Sequence, residues 1–166
     1  MALEAQNRRA PRPLYSEEER RRRDMSPWTI VQGVLAPLQF LIFLLSLVFV
    51  ARFLASGTGA LAADLSIIAK TLALYAIMVT GSLWEKAVFG RYLFVPAFFW
   101  EDMVSMVVIA LHTAYLVMLL GGFGTVEERM LVALAGYAAY VINAGQFLLK
   151  LRAARLQNQP ALAVVG

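Results

Sequence analysis

One stretch of the sequence places a carboxylate, a hydroxyl, an imidazole and a phenol at helical spacing. Glu101, Ser105, Val108, His112 and Tyr115 follow steps of four, three, four and three residues, so one helix face would carry them all. Ionisable groups on an otherwise apolar face are costly at membrane depth, so each is a candidate for function. Glu101 and His112 are separated by ~16 Å along a helix axis at 1.5 Å per residue. They cannot touch each other, so they would address two ends or edges of a large flat ligand. Asp102 points roughly 100° away from Glu101 on an ideal helix. From that neighbouring face it would be placed to pair with Lys86 or Arg91.

Other segments offer matching faces. Tyr75, Met78, Ser82 and Glu85 share one face, with Lys70 nearer the outer end. Tyr140, Asn143 and Gln146 recur at three-residue steps, with Lys150 four further on. Gln32 and Gln39 lie seven apart. If these faces converge, a polar seam runs inside an apolar shell. Plainer readings stand beside this one. Glu85 and Lys86 suit a helix end at a membrane interface. Glu101 and Asp102 suit a helix N-terminus. Asn143, Gln146 and the glutamines suit interhelical hydrogen bonding. Trp28, Trp84, Tyr92 and Trp100 suit an aromatic belt.

The elements that must position these residues are long apolar runs. About 20 apolar residues cover a ~30 Å hydrocarbon core, and four segments meet that length. The first runs over 29–55, opened by Ser26-Pro27 as N-cap and first helical residue, with Pro37 predicting a kink near Gly33. The second runs over 61–83 and continues toward Phe89. The third runs over 98–120 and stops at Gly121-Gly122. The fourth runs over 130–149, opened by Thr125 and Glu128 as a capping box. Ser56 to Gly59, Gly90 to Pro96 and Gly121 to Glu127 supply turns. Short connections favour antiparallel neighbours. The expected fold is therefore all-α, an integral membrane up-down bundle of four transmembrane helices. It comprises a basic arm over 1–28, the membrane domain over 29–156 and a tail over 157–166.

Composition agrees with lipid as part of the solvent. The 166 residues are 60% apolar, against roughly 45–50% in soluble domains. The absence of cysteine removes disulfides and thiol chemistry. A single histidine excludes a His-only metal cluster, so no protein-held metal is expected. Seven of the fifteen basic residues precede Trp28: Arg8, Arg9, Arg12 and Arg20 to Arg23. Beside an apolar span, this arm reads as a topology signal and a contact for anionic lipid rather than for nucleic acid. It is too long and too charged for a cleavable signal peptide. Lys86, Arg91, Lys150, Arg152 and Arg155 fall on the same side as the arm, and only Arg52 and Arg129 on the other. Both termini are therefore expected to face the cytoplasm.

Several strings go further. They include Pro13-Leu14-Tyr15, Ser26-Pro27-Trp28-Thr29, Leu35-Ala36-Pro37-Leu38-Gln39-Phe40, Trp84-Glu85-Lys86 and Val88-Phe89-Gly90. Pro96-Ala97-Phe98-Phe99-Trp100-Glu101-Asp102, Ala110-Leu111-His112-Thr113-Ala114-Tyr115, Tyr140-Val141-Ile142-Asn143-Ala144 and Gln146-Phe147-Leu148-Leu149-Lys150 complete the pattern. In this order and spacing, from about Pro13 to Leu156, the chain closely resembles the 2-vinyl bacteriochlorophyllide hydratases, also called chlorophyllide 3-vinyl hydratases.

The resemblance implies a lyase of bacteriochlorophyll synthesis in the inner or intracytoplasmic membrane of a phototrophic bacterium. Water would add across the 3-vinyl group of chlorophyllide a, or of a 3-vinyl bacteriochlorophyllide, giving a 3-(1-hydroxyethyl) group. No cofactor is expected, because the magnesium belongs to the substrate. Acid catalysis would need a proton donor, and Glu101 is the expected one, with Glu85 the other candidate. Asp102 would orient water. His112 would ligate the substrate magnesium axially or serve as base. Tyr75, Ser105, Tyr115, Tyr140, Asn143 and Gln146 would line the pocket, and Lys86, Arg91 or Lys150 would hold the propionate. A homodimer, or a complex with neighbouring pathway enzymes, would thicken the cage around so large a ring. The alternative is a non-enzymatic pigment carrier or photosystem assembly subunit, since a polar seam with one histidine also serves chlorophyll binding.

Overall fold

Five helices make up the computed structural model, which describes residues 13–157. Arg8, Arg9, Arg12 and the tail beyond Gln157 lie outside the described residues. The helices are α1 (Glu17–Met25), α2 (Pro27–Ser56), α3 (Ala60–Phe89), α4 (Phe99–Gly121) and α5 (Val126–Gln157). No strand occurs among the described residues.

Helix α1 lies within the arm that the sequence presents only as a charged segment. A capping box starts it. The Ser16 N–H donates to Glu19 at 2.8 Å and the Glu19 N–H to the Ser16 hydroxyl at 3.2 Å. Each bond satisfies an amide that the first helical turn would otherwise leave free. Hydrogen bonds and a ring contact tie the helix to the bundle, among them the Thr29 hydroxyl on the Arg23 carbonyl at 2.6 Å. Arg22 donates to the Val88 carbonyl at 3.2 Å. Tyr15 is buried, with its ring 5.8 Å from Phe89. Burial pushes the Tyr15 phenol above its ordinary value, against the opposing pull of the Arg23 guanidinium.

Helices α2 to α5 are each long and apolar enough to cross a bilayer. The shortest has 23 residues, or ~35 Å at 1.5 Å per residue, still longer than a hydrocarbon core of ~30 Å. Their exposed surfaces are leucines, valines and phenylalanines: Leu41 is 62% exposed and Leu120 84%. In water such a surface would be a large aggregation liability; in lipid it is solvated. The protein is accordingly a membrane protein. Helix α2 continues through Pro37. Helix α5 starts on the expected capping box, with Thr125 N–H on Glu128 at 2.7 Å and Glu128 N–H on Thr125 at 3.2 Å. Gly122, at φ 66°, ends α4 in the left-handed conformation that side-chain-bearing residues resist.

Two hairpins pack side by side. Helices α2 and α3 pair extensively, as do α4 and α5, while contacts between the hairpins are sparser. Polar groups hold the first hairpin together. Gln32 donates to the Thr80 hydroxyl at 2.7 Å, and the Ser46 and Ser66 hydroxyls lie 2.8 Å apart. The core around Phe43, Val50, Ile67, Leu74, Val108 and Tyr115 joins the hairpins. A second cluster of Tyr15, Val88, Val95 and Phe98 closes the side where the arm lies.

On the opposite side the hairpins are pinned electrostatically. The Tyr115 hydroxyl donates to Asp64, and Arg129 lies 3.7 Å from the same carboxylate. One group on α3 thus holds one on α4 and one on α5. Asp64→Asn removes the charge that both partners share. It is expected to cost about 1–2 kcal/mol, measured as a lower midpoint of thermal unfolding in detergent with unchanged starting helicity.

Candidate active site

The hairpin seam gathers most of the polar residues that the chain buries. At the arm side α3 ends and α4 begins, joined by the 90–98 connection, so Glu85 and Asp102 meet across it. Both are at least nine-tenths buried, and their carboxyl groups are close enough to interact. Two ionised carboxylates have only acceptors and would repel at this separation, so the pair is suited to sharing a proton. Asp102 is fixed from the other side by the Phe94 N–H at 2.7 Å. Phe94 adopts a φ of 57°, uncommon for a bulky residue, and that turn helps direct its N–H at the carboxylate. One Glu85 oxygen, Oε2, is buried with no hydrogen-bond partner.

Glu101 sits beside this pair but is engaged differently. Its carboxylate accepts from Lys150 at 2.5 Å, and Lys150 also donates to the Ala97 carbonyl. The lysine of α5 therefore neutralises the glutamate of α4 and caps the connection before it. One turn deeper, the Ser105 hydroxyl donates to the Glu101 carbonyl at 2.9 Å and accepts from Asn143 at 2.7 Å. Asn143 Oδ1 and Gln146 Oε1 are buried acceptors with no partner.

A second polar layer lies deeper, at the middle of the spans. His112 is 1% exposed, and its Nδ1 lies 2.8 Å from the Val108 carbonyl. A carbonyl only accepts, so Nδ1 carries the hydrogen. The other nitrogen, Nε2, is buried with no partner. Gly136 makes room for this ring: a Cβ there would lie 2.9 Å from Cε1 and Nδ1. Around it stand Tyr137, whose ring is 5.8 Å from the imidazole, and then Phe43, Tyr140 and Lys70.

The expected residues thus separate by location. Glu85, Glu101, Asp102, Ser105, Asn143 and Lys150 form one cluster, and His112 and Tyr140 the deeper layer. Tyr115 belongs elsewhere, committed to Asp64 on the opposite side. Tyr75 bonds Thr113 at 2.6 Å on a partly exposed face between α3 and α4. Neither Lys86 nor Arg91 forms an ion pair with Asp102 among the described residues. Lys86 caps its own helix on the Gly90 carbonyl at 2.8 Å, and Arg91 is exposed. Trp84 bonds Thr29 at 3.0 Å inside the aromatic cluster rather than standing in a belt. Lys70, Tyr137 and Asp64 are the residues that sequence reading left out of the site. For Lys70 a signal existed, a lone charge inside an apolar span. The same signal applies to Asp64, an acid inside the same apolar run; for Tyr137 there was none beyond residue type.

A groove of ≈ 500 Å³ lies outside the seam, lined by Glu18, Arg21, Arg22, Ser26, Trp28 and Ala87. Within the seam the side chains close on one another: Lys70, Val108, His112 and Tyr115 are all fully buried. A flat ligand would reach them by parting the two hairpins, whose mutual contacts are the weaker ones.

Residues 15–153 match the family described as 2-vinyl bacteriochlorophyllide hydratase. A protein of that name from Rhodobacter capsulatus is 66% identical over 144 residues, covering 87% of this chain and 84% of its own. One from Cereibacter sphaeroides is 61% identical over 150 residues, covering 90% and 93%. No solved structure matches the chain. Agreement at this level over nearly the full length, with the seam residues inside the matched region, makes the chain a member of the 2-vinyl bacteriochlorophyllide hydratase family.

Proposed function

We propose that this protein hydrates the 3-vinyl group of a chlorophyllide or bacteriochlorophyllide, the group its relatives' names number as 2-vinyl, giving the 3-(1-hydroxyethyl) product during bacteriochlorophyll synthesis. The Glu85–Asp102 carboxyl contact carries the reading. It is a buried carboxyl pair suited to sharing a proton, at the meeting of two hairpins, in a site with open hydrogen-bond acceptors. Acid catalysis of this addition starts with a proton passing to the terminal vinyl carbon. Positive charge then rests on the carbon attached to the macrocycle, where the π system spreads it. Water attacks that carbon and loses a proton to a carboxylate. The sum is one water added and no change in the enzyme.

Glu85 is the proposed donor. Helix side chains lean toward their own N-terminus, so Glu85, near the end of α3, leans inward along the seam. Its Oε2 is the unpartnered oxygen. Asp102, fixed by Phe94, shares the proton and receives it back. Asn143 and Gln146 offer acceptors for the attacking water. The Lys150–Glu101 pair keeps a second charge fixed beside the site and offers the substrate propionate a cation. His112 Nε2 is proposed as axial ligand to the substrate magnesium, since magnesium in chlorins accepts imidazole although it prefers oxygen. The excess of lysine and arginine on the arm side supports a cytoplasmic arm in the bacterial inner membrane. The addition is redox-neutral, and the only metal it involves arrives with the substrate.

Membranes carrying this protein, given a 3-vinyl chlorophyllide, are expected to blue-shift its red absorption band as a conjugated double bond is lost. The product should be heavier by one water in the mass spectrum. Unchanged pigment mass in membranes that contain the folded protein would reject the hydratase reading, and pigment retained unaltered would favour a carrier.

A further inference from the structure

We infer that Lys70 forms a deep subsite that hydrogen-bonds a neutral carbonyl oxygen on the edge of the macrocycle opposite the vinyl group. This inference rests on the substrate class proposed above.

Lys70 is wholly buried, in the middle of α3, among residues at the middle of the other three spans. Charged or neutral, a lysine amine carries at least two N–H donors. Here its nitrogen lies 3.5 Å from the centre of the Tyr140 ring and 6.0 Å from that of Phe43, yet no hydrogen-bond acceptor reaches it. A cation over an aromatic face gains something, but the N–H groups remain unused. Ionisable side chains at this depth are costly and ordinarily find a partner. Among the described residues, Lys70 has no carboxylate within salt-bridge distance, unlike Lys150 and Arg129, which have Glu101 and Asp64. A neutral acceptor supplied by a ligand would complete it.

Position identifies which part of the ligand that is. Taking the Glu85–Asp102 pair as the upper level, His112 lies ten residues deeper on α4 and Lys70 fifteen residues deeper on α3. Those offsets correspond to ~15 and ~22 Å along the helix axes. Lys70 therefore stands beyond His112 as seen from the carboxyl pair, on the opposite hairpin, and close enough for the two groups to interact electrostatically. With magnesium on His112, one edge of the macrocycle faces the carboxyls and the opposite edge faces Lys70. In chlorophyllides the ketone of the fifth ring lies across the magnesium from the vinyl-bearing ring. Binding that ketone at Lys70 turns the vinyl group toward Glu85. Lys70 would thus be a positioning and specificity residue, selecting macrocycles that carry the ketone and setting their orientation.

The test pairs a substrate change with a residue change. A 3-vinyl chlorophyllide is compared with its analogue in which the ring ketone is reduced to a methylene. The wild-type protein should favour the ketone substrate by roughly ten- to hundredfold in kcat/KM, the range of a charged hydrogen bond. Lys70→Met should lose most of that preference, treating both substrates as the wild type treats the methylene analogue. A purely structural lysine would lower both rates and leave their ratio intact, which would overturn the inference. Infrared difference spectra provide a readout independent of turnover and of any variant. The ketone stretch of the pigment bound to wild-type protein should fall below its frequency in apolar solvent. An unshifted ketone band in the bound pigment would equally overturn the subsite. Failure of the wild type to hydrate any vinyl substrate would instead count against the proposed reaction.

Discussion

Glu85→Gln is expected to lower kcat by about 10²- to 10⁴-fold, the usual contribution of a general acid, while leaving pigment binding nearly unchanged. The amide keeps the shape and can donate to Asp102 but cannot give up a proton to a vinyl carbon. Glu101→Gln is the informative contrast. Its carboxylate already holds Lys150, so losing it frees a cation beside the site and weakens substrate placement. That variant should act mainly through KM and retain more of kcat than Glu85→Gln. Steady-state hydration rates over a range of substrate concentration separate the two. If Glu101→Gln abolishes turnover and Glu85→Gln does not, the donor is Glu101, as the helix-face pattern taken alone suggests.

That contrast shows where sequence and structure part. The face carrying Glu101, Ser105 and His112 was legible because helical periodicity is a one-dimensional property. All three are buried as that face requires. What Glu101 meets depends on α5, and no spacing within α4 announces Lys150 from 49 residues away. Glu85 illustrates the same limit. At the end of an apolar span it reads equally as an interfacial charge. Only the return of the chain through the 90–98 connection sets it against Asp102. Tyr115 is the reverse case. It belongs to the same helix face as His112, but lies nearer the opposite end of the span, where Asp64 and Arg129 claim it. A shared face fixes direction around a helix and says nothing about depth or partner. The four helices follow the apolar runs to within a few residues, including the continuation of α3 to Phe89 that the sequence offers, while α5 extends well past its run, to Gln157. Those extensions carry Glu85 and Lys150, so the ends least marked by hydropathy are the ends that build the site.

His112→Ala should produce the second large loss, and its pattern distinguishes a ligand from a base. The Nδ1 hydrogen is committed to the Val108 carbonyl, so the ring presents one bare nitrogen to the seam. If that nitrogen holds the substrate magnesium, removing it should weaken pigment binding by roughly ten- to a hundredfold, the cost of losing a metal ligand or its support. Turnover at saturating substrate would fall less. Added imidazole should restore binding, because the cavity left by the side chain admits the free ring. The magnesium-free pheophorbide should then bind wild type and variant alike, since it has no metal to ligate. A base would behave otherwise: binding would survive the substitution, turnover would not, and the pheophorbide would lose as much rate as the magnesium pigment. Gly136→Ala adds a gentler probe of the same point. A methyl group 2.9 Å from the imidazole must displace the ring without deleting it. For a ligand, the variant should shift the absorption band of the bound pigment; for a histidine that never meets the magnesium, the band should stay where it is.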